Sequence, residues 1–289
     1  MSLLQAIVLG LVQGLTEFLP VSSSAHLVIV PWLFGWESPG LAFDAALHLG
    51  TLTAVLIYFR AELMRMLRAA PRALAHPLRT LRGPGAGRGD DPDARLALLI
   101  AIGTIPGAIA GLLGEEFISD LYHAGDTTSS RAIVAIAIAL MALAAVLWLA
   151  ERTARHVRPL AQLRVPDAVA IGLAQALALI PGVSRSGATI TAGLFRDLKR
   201  ADAARFSFLL GIPLIAAAGL KGAFETAQTG MTSGEAAIFI VGIVVSGLSG
   251  FAAIWGLLRY LQRASTMAFI VYRFALGLLL LALVAAGFQ

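Results

Sequence analysis

Two stretches of the sequence decide the fold: Pro20-Val21-Ser22-Ser23-Ser24, inside an apolar run from 3 to 34, and Pro181-Gly182-Val183-Ser184-Arg185-Ser186, inside an apolar run from 166 to 195. Each half-run is shorter than the roughly 20 apolar residues that a membrane-spanning helix needs. Irregular backbone at membrane depth is tolerated only where protein or a watery cavity surrounds it. We therefore expect two re-entrant helical hairpins with polar tips.

The composition around these stretches is typical of an integral membrane protein. Apolar residues make up 58% of the 289 residues and charged residues 13%, whereas a soluble domain has about 45–50% and about 25%. The absence of cysteine excludes disulfides and thiolate metal sites. Six further segments approach the length of a full span: 41–59, 96–113, 132–150, 204–220, 236–258 and 267–287. The expected fold is an all-α integral membrane protein with six transmembrane helices and two re-entrant hairpins.

The positive charges test this topology, because Lys and Arg accumulate in cytoplasmic loops. With both ends of the first hairpin outside and both ends of the second inside, 18 of the 22 Lys and Arg residues fall on the cytoplasmic side. The net charge of +5 is therefore explained by the basic cytoplasmic loops of a membrane protein, and no nucleic-acid partner is expected. Pro and Gly are frequent between about 69 and 94, the main part of a cytoplasmic loop over 60–95, and we interpret this stretch as flexible and without a separate domain.

The chain also repeats itself at a shift of 162 residues, which pairs Gly10 with Gly172, Gln13 with Gln175, Ser22 with Ser184 and Ser24 with Ser186. Since the two hairpins enter from opposite sides, the halves are expected to form an inverted-topology repeat. The predicted organisation is one membrane domain over 1–289, with repeat 1 at 1–150 and repeat 2 at 160–289. The two tips are expected to face each other.

The first tip carries residues capable of nucleophilic chemistry. Gln13 and Glu17 lie one helical turn apart and share a face, and Ser22 and Ser23 precede His26 by about one turn. A hydroxyl beside an imidazole is typical of a nucleophile and its base. The structural alternative is that Ser22 or Ser23 only caps the second half-helix and that His26 forms a hydrogen bond with a carbonyl. Glu17 favours function, because an ionisable group within a membrane segment costs several kcal/mol.

The second tip has the outline of an anion site. Arg185 stands alone in an apolar segment at the start of a half-helix, where backbone amides and a guanidinium together recognise phosphate. Hydroxyl donors are available from Ser184, Ser186 and Thr189. The structural alternative is that Arg185 only neutralises Glu17 across the interface between the repeats.

Asp44 and His48 form a further polar pair, four residues apart on the first full span. They either support the same cavity from behind or form a plain buried hydrogen-bonded pair. The sequence leaves both interpretations open.

The segments 17–26 and 181–189, with 43–51 between them, resemble the undecaprenyl-diphosphate phosphatases of the bacitracin-resistance type over nearly the whole chain. The resemblance implies an enzyme of the bacterial plasma (inner) membrane that removes the terminal phosphate of a C55 polyprenyl diphosphate and recycles this lipid carrier for cell-wall synthesis. It implies a site that opens to the periplasm. It also implies functional roles at these positions: Glu17, Ser23, His26, Ser184, Arg185 and Thr189.

The resemblance further implies stimulation by a divalent cation, Mg²⁺ or Ca²⁺. Members of the family often have Glu where this chain has Gln13, so a cation held between two carboxylates is not expected here. We expect instead a cation that bridges the substrate phosphates, with Glu17 as the protein ligand.

Two questions stay open at this point. Ser23 either attacks the phosphorus with His26 as its base or acts as a hydrogen-bond donor to an attacking water. A polyprenyl-phosphate flippase or other secondary transporter, which would use the same anion-binding tips, is the alternative function. Gly-rich helix faces would also allow a homodimer.

Overall fold

A computed structural model of the chain describes residues 1–82, 91–123, 129–229 and 232–288. These residues form helices, apart from one isolated bridge between Arg158 and Leu198. The helices are α1 (Leu3–Phe18), α2 (Ser23–Phe34), α3 (Leu41–Tyr58), α4 (Arg60–Ala75), α5 (Pro77–Leu81), α6 (Pro92–His123), α7 (Ser130–Thr153), α8 (Val165–Ala176), α9 (Arg185–Phe195), α10 (Arg200–Thr229), α11 (Ser233–Leu261) and α12 (Met267–Ala285). Short 3-10 turns cover Leu160–Gln162 and Leu177–Leu179.

Six of the helices are long and apolar enough to cross a membrane. The qualifying segments are Leu41–Tyr58, Pro92–Gly114, Ser130–Thr153, Arg200–Phe224, Ser233–Leu261 and Met267–Ala285. They coincide with the six segments that the hydropathy pattern predicts. The chain is therefore a multi-pass membrane protein by the length and composition of its helices.

The two interrupted apolar runs are broken where the sequence predicts. The first is divided into α1 and α2 at residues 19–22, and the second into α8 and α9 at residues 180–184. Both breaks end on a serine with positive φ, 78° at Ser22 and 65° at Ser184. Each of these serines caps the helix that follows, since Ser22 Oγ accepts from Ala25 N–H and Ser184 Oγ accepts from Gly187 N–H. The two tips thus share one local backbone design.

The first half of each broken run packs closely against a long helix. A Cβ atom added to Gly14 of α1 would lie 1.9 Å from Ser249 Oγ of α11. A Cβ atom added to Gly172 of α8 would lie 2.2 Å from the Gly103 carbonyl oxygen of α6. Small residues allow such close approach, which is how helices associate in membranes. These contacts fix the position of α1 and α8, and hence of both tips.

The predicted loop over 60–95 is wrong in part, because its first half is helical. Pro71 lies inside α4, and Pro77 stands in the first turn of α5, where its missing N–H costs nothing. Ala69 and Ala73 of α4 form a buried cluster with Ala94 of α6. This packing stabilises a helix that the count of prolines does not predict. The glycine-rich run at 83–89 lies outside the described residues.

The segments that flank α8 and α9 are held by ion pairs. Asp167 is fully buried at the start of α8 and accepts hydrogen bonds from Arg158 and Arg196. Arg155 pairs with Asp197 at 2.9 Å. Its hydrogen bonds hold the pKa of the exposed Asp197 carboxyl below the ordinary value. These pairs tie the connections before and after the second broken run to each other.

Candidate active site

Glu17 lies at the centre of the cluster that the two tips form. Its carboxylate is 6% exposed and accepts hydrogen bonds from Ser23 Oγ at 2.6 Å, Gln13 Nε2 at 3.2 Å and Arg185 Nη2 at 3.3 Å. Burying a carboxylate is costly unless donors replace its water shell. The three donors come from α1, α2 and α9, so this one charge draws both tips together.

Ser23 is the hydroxyl that the structure directs at this carboxylate. Ser23 is the first residue of α2, and its half-buried side chain points back to Glu17 of α1. A carboxylate at hydrogen-bond distance is a candidate base for a serine hydroxyl. The base within reach of Ser23 is therefore Glu17.

The predicted pairing of Ser23 with His26 is wrong. The His26 ring reaches one turn back to the Ser22 carbonyl oxygen, 2.6 Å from Nδ1, and its Nε2 lies 2.6 Å from the Tyr272 hydroxyl. A carbonyl can only accept, so Nδ1 carries a proton and donates it. In the neutral ring, Nε2 then accepts from Tyr272. Both ring nitrogens of His26 are thus engaged in hydrogen bonds, one with the backbone of the first tip and one with Tyr272 of α12.

Arg185 approaches Glu17 from the opposite tip. Its Nη1 donates to the Ser207 carbonyl oxygen of α10 at 3.0 Å, while Nη2 donates to Glu17. The Nε atom is buried without a hydrogen-bond partner among the described residues. Gly211 makes room for this guanidinium, because a Cβ atom there would lie 1.8 Å from Arg185 Nη1. Arg185 therefore holds a permanent positive charge beside the Ser23–Glu17 pair, and its Nε–H has no partner among the described residues.

The remaining hydroxyls of the second tip build its frame. Ser186 Oγ donates to the Leu19 carbonyl oxygen at 3.0 Å and so joins the second tip to the first. Thr189 Oγ1 donates to the Arg185 carbonyl oxygen and lies 2.6 Å from Ser207 Oγ. Ser184 and Ser22 are engaged as helix caps. Ser22, Ser184, Ser186 and Thr189 are the four side chains predicted to bind substrate, and each hydroxyl has a partner within the protein.

Gln13 of α1 and His48 of α3 lie beside the Glu17 carboxylate, and Asp44 lies one turn before His48. Gln13 is fully buried, and its Oε1 has no partner among the described residues. His48 Nδ1 donates to the Asp44 carbonyl oxygen at 2.8 Å, and His48 Nε2 lies 3.8 Å from Glu17 Oε2. The Asp44 carboxyl has a buried oxygen without a partner there. His48 and Asp44 are therefore joined through the backbone oxygen of Asp44 and not through its carboxyl. Of the two side chains, His48 approaches Glu17.

Arg273 of α12 is a site residue that the sequence analysis missed. Its side chain is fully buried and donates to three carbonyl oxygens, those of Leu140 at 3.0 Å, Pro20 at 3.2 Å and Gly182 at 3.0 Å. Pro20 belongs to the first tip and Gly182 to the second. A single guanidinium therefore bridges the backbone of both tips to α7.

Comparison with known proteins assigns the family. The family model described as Bacitracin resistance protein BacA matches residues 6–279. The chain belongs to the BacA family. It is 50% identical to a Thermomicrobium roseum protein, covering 99% of both chains, and 48% identical to a Myxococcus xanthus protein, covering 99% of this chain and 91% of the relative. A Trichormus variabilis protein is 45% identical, with 99% and 85% covered. All three relatives are named undecaprenyl-diphosphatase.

Within this BacA family member, a simple signal would have found Arg273. A lone arginine inside an apolar segment singled out Arg185, and Arg273 stands in the same situation in the span 267–287. Ser207 and Tyr272 carried no comparable signal, because hydroxyls are common in membrane helices. Only the packing of α10 and α12 against the tips identifies them.

Proposed function

We propose that this chain is an undecaprenyl-diphosphate phosphatase whose reaction takes place at Glu17, Ser23 and Arg185. The observation that carries the proposal is the buried carboxylate that accepts from a serine hydroxyl at 2.6 Å and from an arginine at 3.3 Å. A nucleophile, a base and a cation for the phosphate are thereby within one contact shell. The BacA family and the names of its relatives support the substrate.

In the proposed reaction, Ser23 Oγ attacks the terminal phosphorus while its proton passes to the Glu17 carboxylate. The Oγ–P bond forms as the bridging P–O bond breaks, and polyprenyl monophosphate leaves. Water then attacks the phosphorus of the phosphoserine: the new O–P bond forms as the Oγ–P bond breaks, one water proton passes to Ser23 Oγ, inorganic phosphate leaves, and Glu17 releases its proton to solvent. Arg185 disperses the negative charge of the equatorial oxygens through its guanidinium, which lies beside Glu17. The competing version has water attack directly, with Ser23 as a hydrogen-bond donor.

His26 is given a positioning role in this scheme. Its bond to the Ser22 carbonyl fixes the residue that directly precedes Ser23, and Tyr272 fixes the ring from the other side. Both contacts hold the first turn of α2 in place. The Ser23 hydroxyl is thereby kept in line with Glu17.

We also propose that a divalent cation, Mg²⁺ or Ca²⁺, binds together with the substrate phosphates. The protein offers two oxygen ligands for a cation here, the unpartnered Gln13 Oε1 and the Glu17 carboxylate. The described residues contain no group of three His, Asp or Glu side chains placed to hold a metal. Since Mg²⁺ takes six oxygen ligands, diphosphate oxygens and water would supply the rest. When bound, the cation would neutralise charge on the phosphates.

We further propose that α1–α2 and α8–α9 are re-entrant hairpins of an inverted repeat. The matching N-caps at Ser22 and Ser184 support this, as does the packing of α1 on α11 and of α8 on α6. In the repeat, α11 is the counterpart of α6, so the two contacts correspond. The distribution of Lys and Arg supports the orientation of the spans in a plasma (inner) membrane, and the resemblance to the family implies a site that opens to the periplasm.

Phosphate release tests the function directly. Purified protein in detergent is given a short-chain prenyl diphosphate, and inorganic phosphate is measured beside an inactive Glu17→Gln variant. The phosphatase releases phosphate, and the variant releases at least about 100-fold less because the base is lost. A flippase or other carrier that only binds the diphosphate releases none in either form, and that result would reject the enzyme assignment.

A further inference from the structure

Helix α4 presents three distinct faces, and the residues of each face are three, four or seven positions apart. Glu62, Met66, Ala69 and Ala73 form the buried face. Met64, Leu67 and Leu74 form a second face, which is apolar yet exposed, by 65% at Leu67 and 74% at Leu74. Arg65, Arg68 and Arg72 form the third face, also exposed. A helix that is apolar beyond the face it buries, and basic on the other side, is typical of a membrane interface.

The position of α4 places it where two spans end. It follows α3 directly, after Phe59. It also contacts the first turn of α6, since Arg65 pairs with Asp93 at 3.1 Å and Ala73 clusters with Ala94. Positions eight residues apart on α4 thus meet neighbouring positions on α6. Helix α4 therefore packs on the first turn of α6, at the end where that span begins.

The charges of the basic face are available for a ligand. Arg65 is engaged by Asp93, but Arg68 and Arg72 form no ion pair with any carboxylate in the described part of the chain. Guanidinium groups held at the surface of a bilayer attract anionic lipid headgroups. The next helix continues the pattern with an exposed Leu78. A lipid bilayer would cover both faces, because acyl chains would contact the apolar face and anionic headgroups would pair with the basic face.

We propose that α4 is a membrane-surface helix that inserts Met64, Leu67 and Leu74 among lipid acyl chains and binds anionic headgroups through Arg68 and Arg72. The arginine count predicts the cytoplasmic leaflet for this contact. The site is separate from Glu17 and Arg185, so the proposal does not depend on the phosphatase reaction.

The absence of cysteine allows a direct test on the full chain. Single variants Leu67→Cys, Leu74→Cys, Arg68→Cys and Arg72→Cys are spin-labelled in lipid nanodiscs, and collisions with oxygen and with a water-soluble nickel complex are measured. Labels at 67 and 74 should favour oxygen, and labels at 68 and 72 should favour nickel. Equal access of nickel to all four positions would overturn the proposal. Shielding of 67 and 74 from both reagents would also overturn it, since a protein partner would then cover the face.

The headgroup part of the proposal has its own measurement. The Leu67 label is compared in discs of phosphatidylcholine alone and in discs that also contain phosphatidylglycerol. Anionic lipid should raise the preference of this label for oxygen, and Arg68→Gln with Arg72→Gln should abolish the increase. The matched control is Arg263→Gln, an exposed arginine outside α4, which should leave the increase intact. An increase that persists without Arg68 and Arg72, or no increase in the parent, would overturn the role of the arginines.

Discussion

Ser23 donates a 2.6 Å hydrogen bond to the carboxylate of Glu17, across the break between α1 and α2. The break makes this contact geometrically available, because a continuous helix would place residues six apart on different faces. The polar tip is therefore what turns two residues of one apolar run into a donor and acceptor pair.

The first prediction concerns Ser23 itself. Ser23→Ala should lower phosphate release by at least about 100-fold, as expected when a nucleophile and its base no longer act together. The matched control is Ser24→Ala, whose exposed hydroxyl contacts only Ser22 Oγ among the described residues. Rapid quenching of the parent with labelled diphosphate should trap phosphoserine. A Ser23→Ala enzyme with substantial turnover would instead favour direct attack by water.

The second prediction uses the space beside Arg185. Gly211→Ala places a Cβ atom where Arg185 Nη1 now lies, so the guanidinium must move away from Glu17 and the Ser207 carbonyl. Since the moving group is the end of a flexible side chain, the fold should persist. Activity should fall by about 100-fold or more, as for the loss of one charge-stabilising donor. Gly256→Ala is the control, because nothing lies within 4 Å of the added atom. Equal activity of the two variants would contradict a role for the position of Arg185.

The third prediction concerns Arg273. Arg273→Met leaves three buried carbonyl oxygens without their donor, and each such loss costs about 1–3 kcal/mol. The thermal midpoint in detergent should fall clearly, and activity should fall with it. Arg273→Lys should recover part of both. Exposed Arg263→Met is the control. A parent-like midpoint for Arg273→Met would show that the tips are held by other contacts.

The fourth prediction tests the cation. Gln13→Glu replaces the unpartnered amide oxygen with a second carboxylate beside Glu17. The variant should reach half-maximal activity at a lower Mg²⁺ or Ca²⁺ concentration than the parent, because a carboxylate is the stronger ligand. A titration of chelated protein with each cation measures this. The expectation fails if both proteins respond identically.

The fifth prediction concerns pH and the exposed pair of Arg155 and Asp197. The hydrogen bonds from Arg155 lower the pKa of Asp197 in the folded state, so the carboxylate contributes stability above its unfolded pKa and loses it as the pH falls through the folded pKa. Asn keeps the positive φ of 61° at this position. Asp197→Asn should therefore melt slightly lower than the parent at neutral pH and equally at strongly acidic pH. A constant difference across the range would contradict the ion pair as its cause.

Much of the fold was predictable because bilayer thickness imposes a length on every span. The six spans and the two breaks follow from hydropathy and from proline and serine positions. Helix α4 was missed because its stability comes from packing on α6, which no local pattern reveals. The homodimer stays a prediction.

The site was predictable to the level of residue type. Placement of Glu17 near Arg185 follows from the repeat and from the cost of isolated charges in lipid. The partner of Ser23 did not follow, because Glu17 and His26 both lie within reach of it in sequence. The choice between them depends on the backbone path through the tip, where Ser22 has a φ of 78°, and this path cannot be read from the sequence.

The bond pattern of Arg273 has a consequence for how the enzyme is made. Residues 20 and 182 are synthesised before residue 273, and the guanidinium that joins them arrives with α12. A ribosome-bound chain that has already inserted its earlier helices would still lack the hydrogen bonds from Arg273 to the two tips. The backbone of the two tips is thus expected to take its final arrangement only after α12 has been inserted.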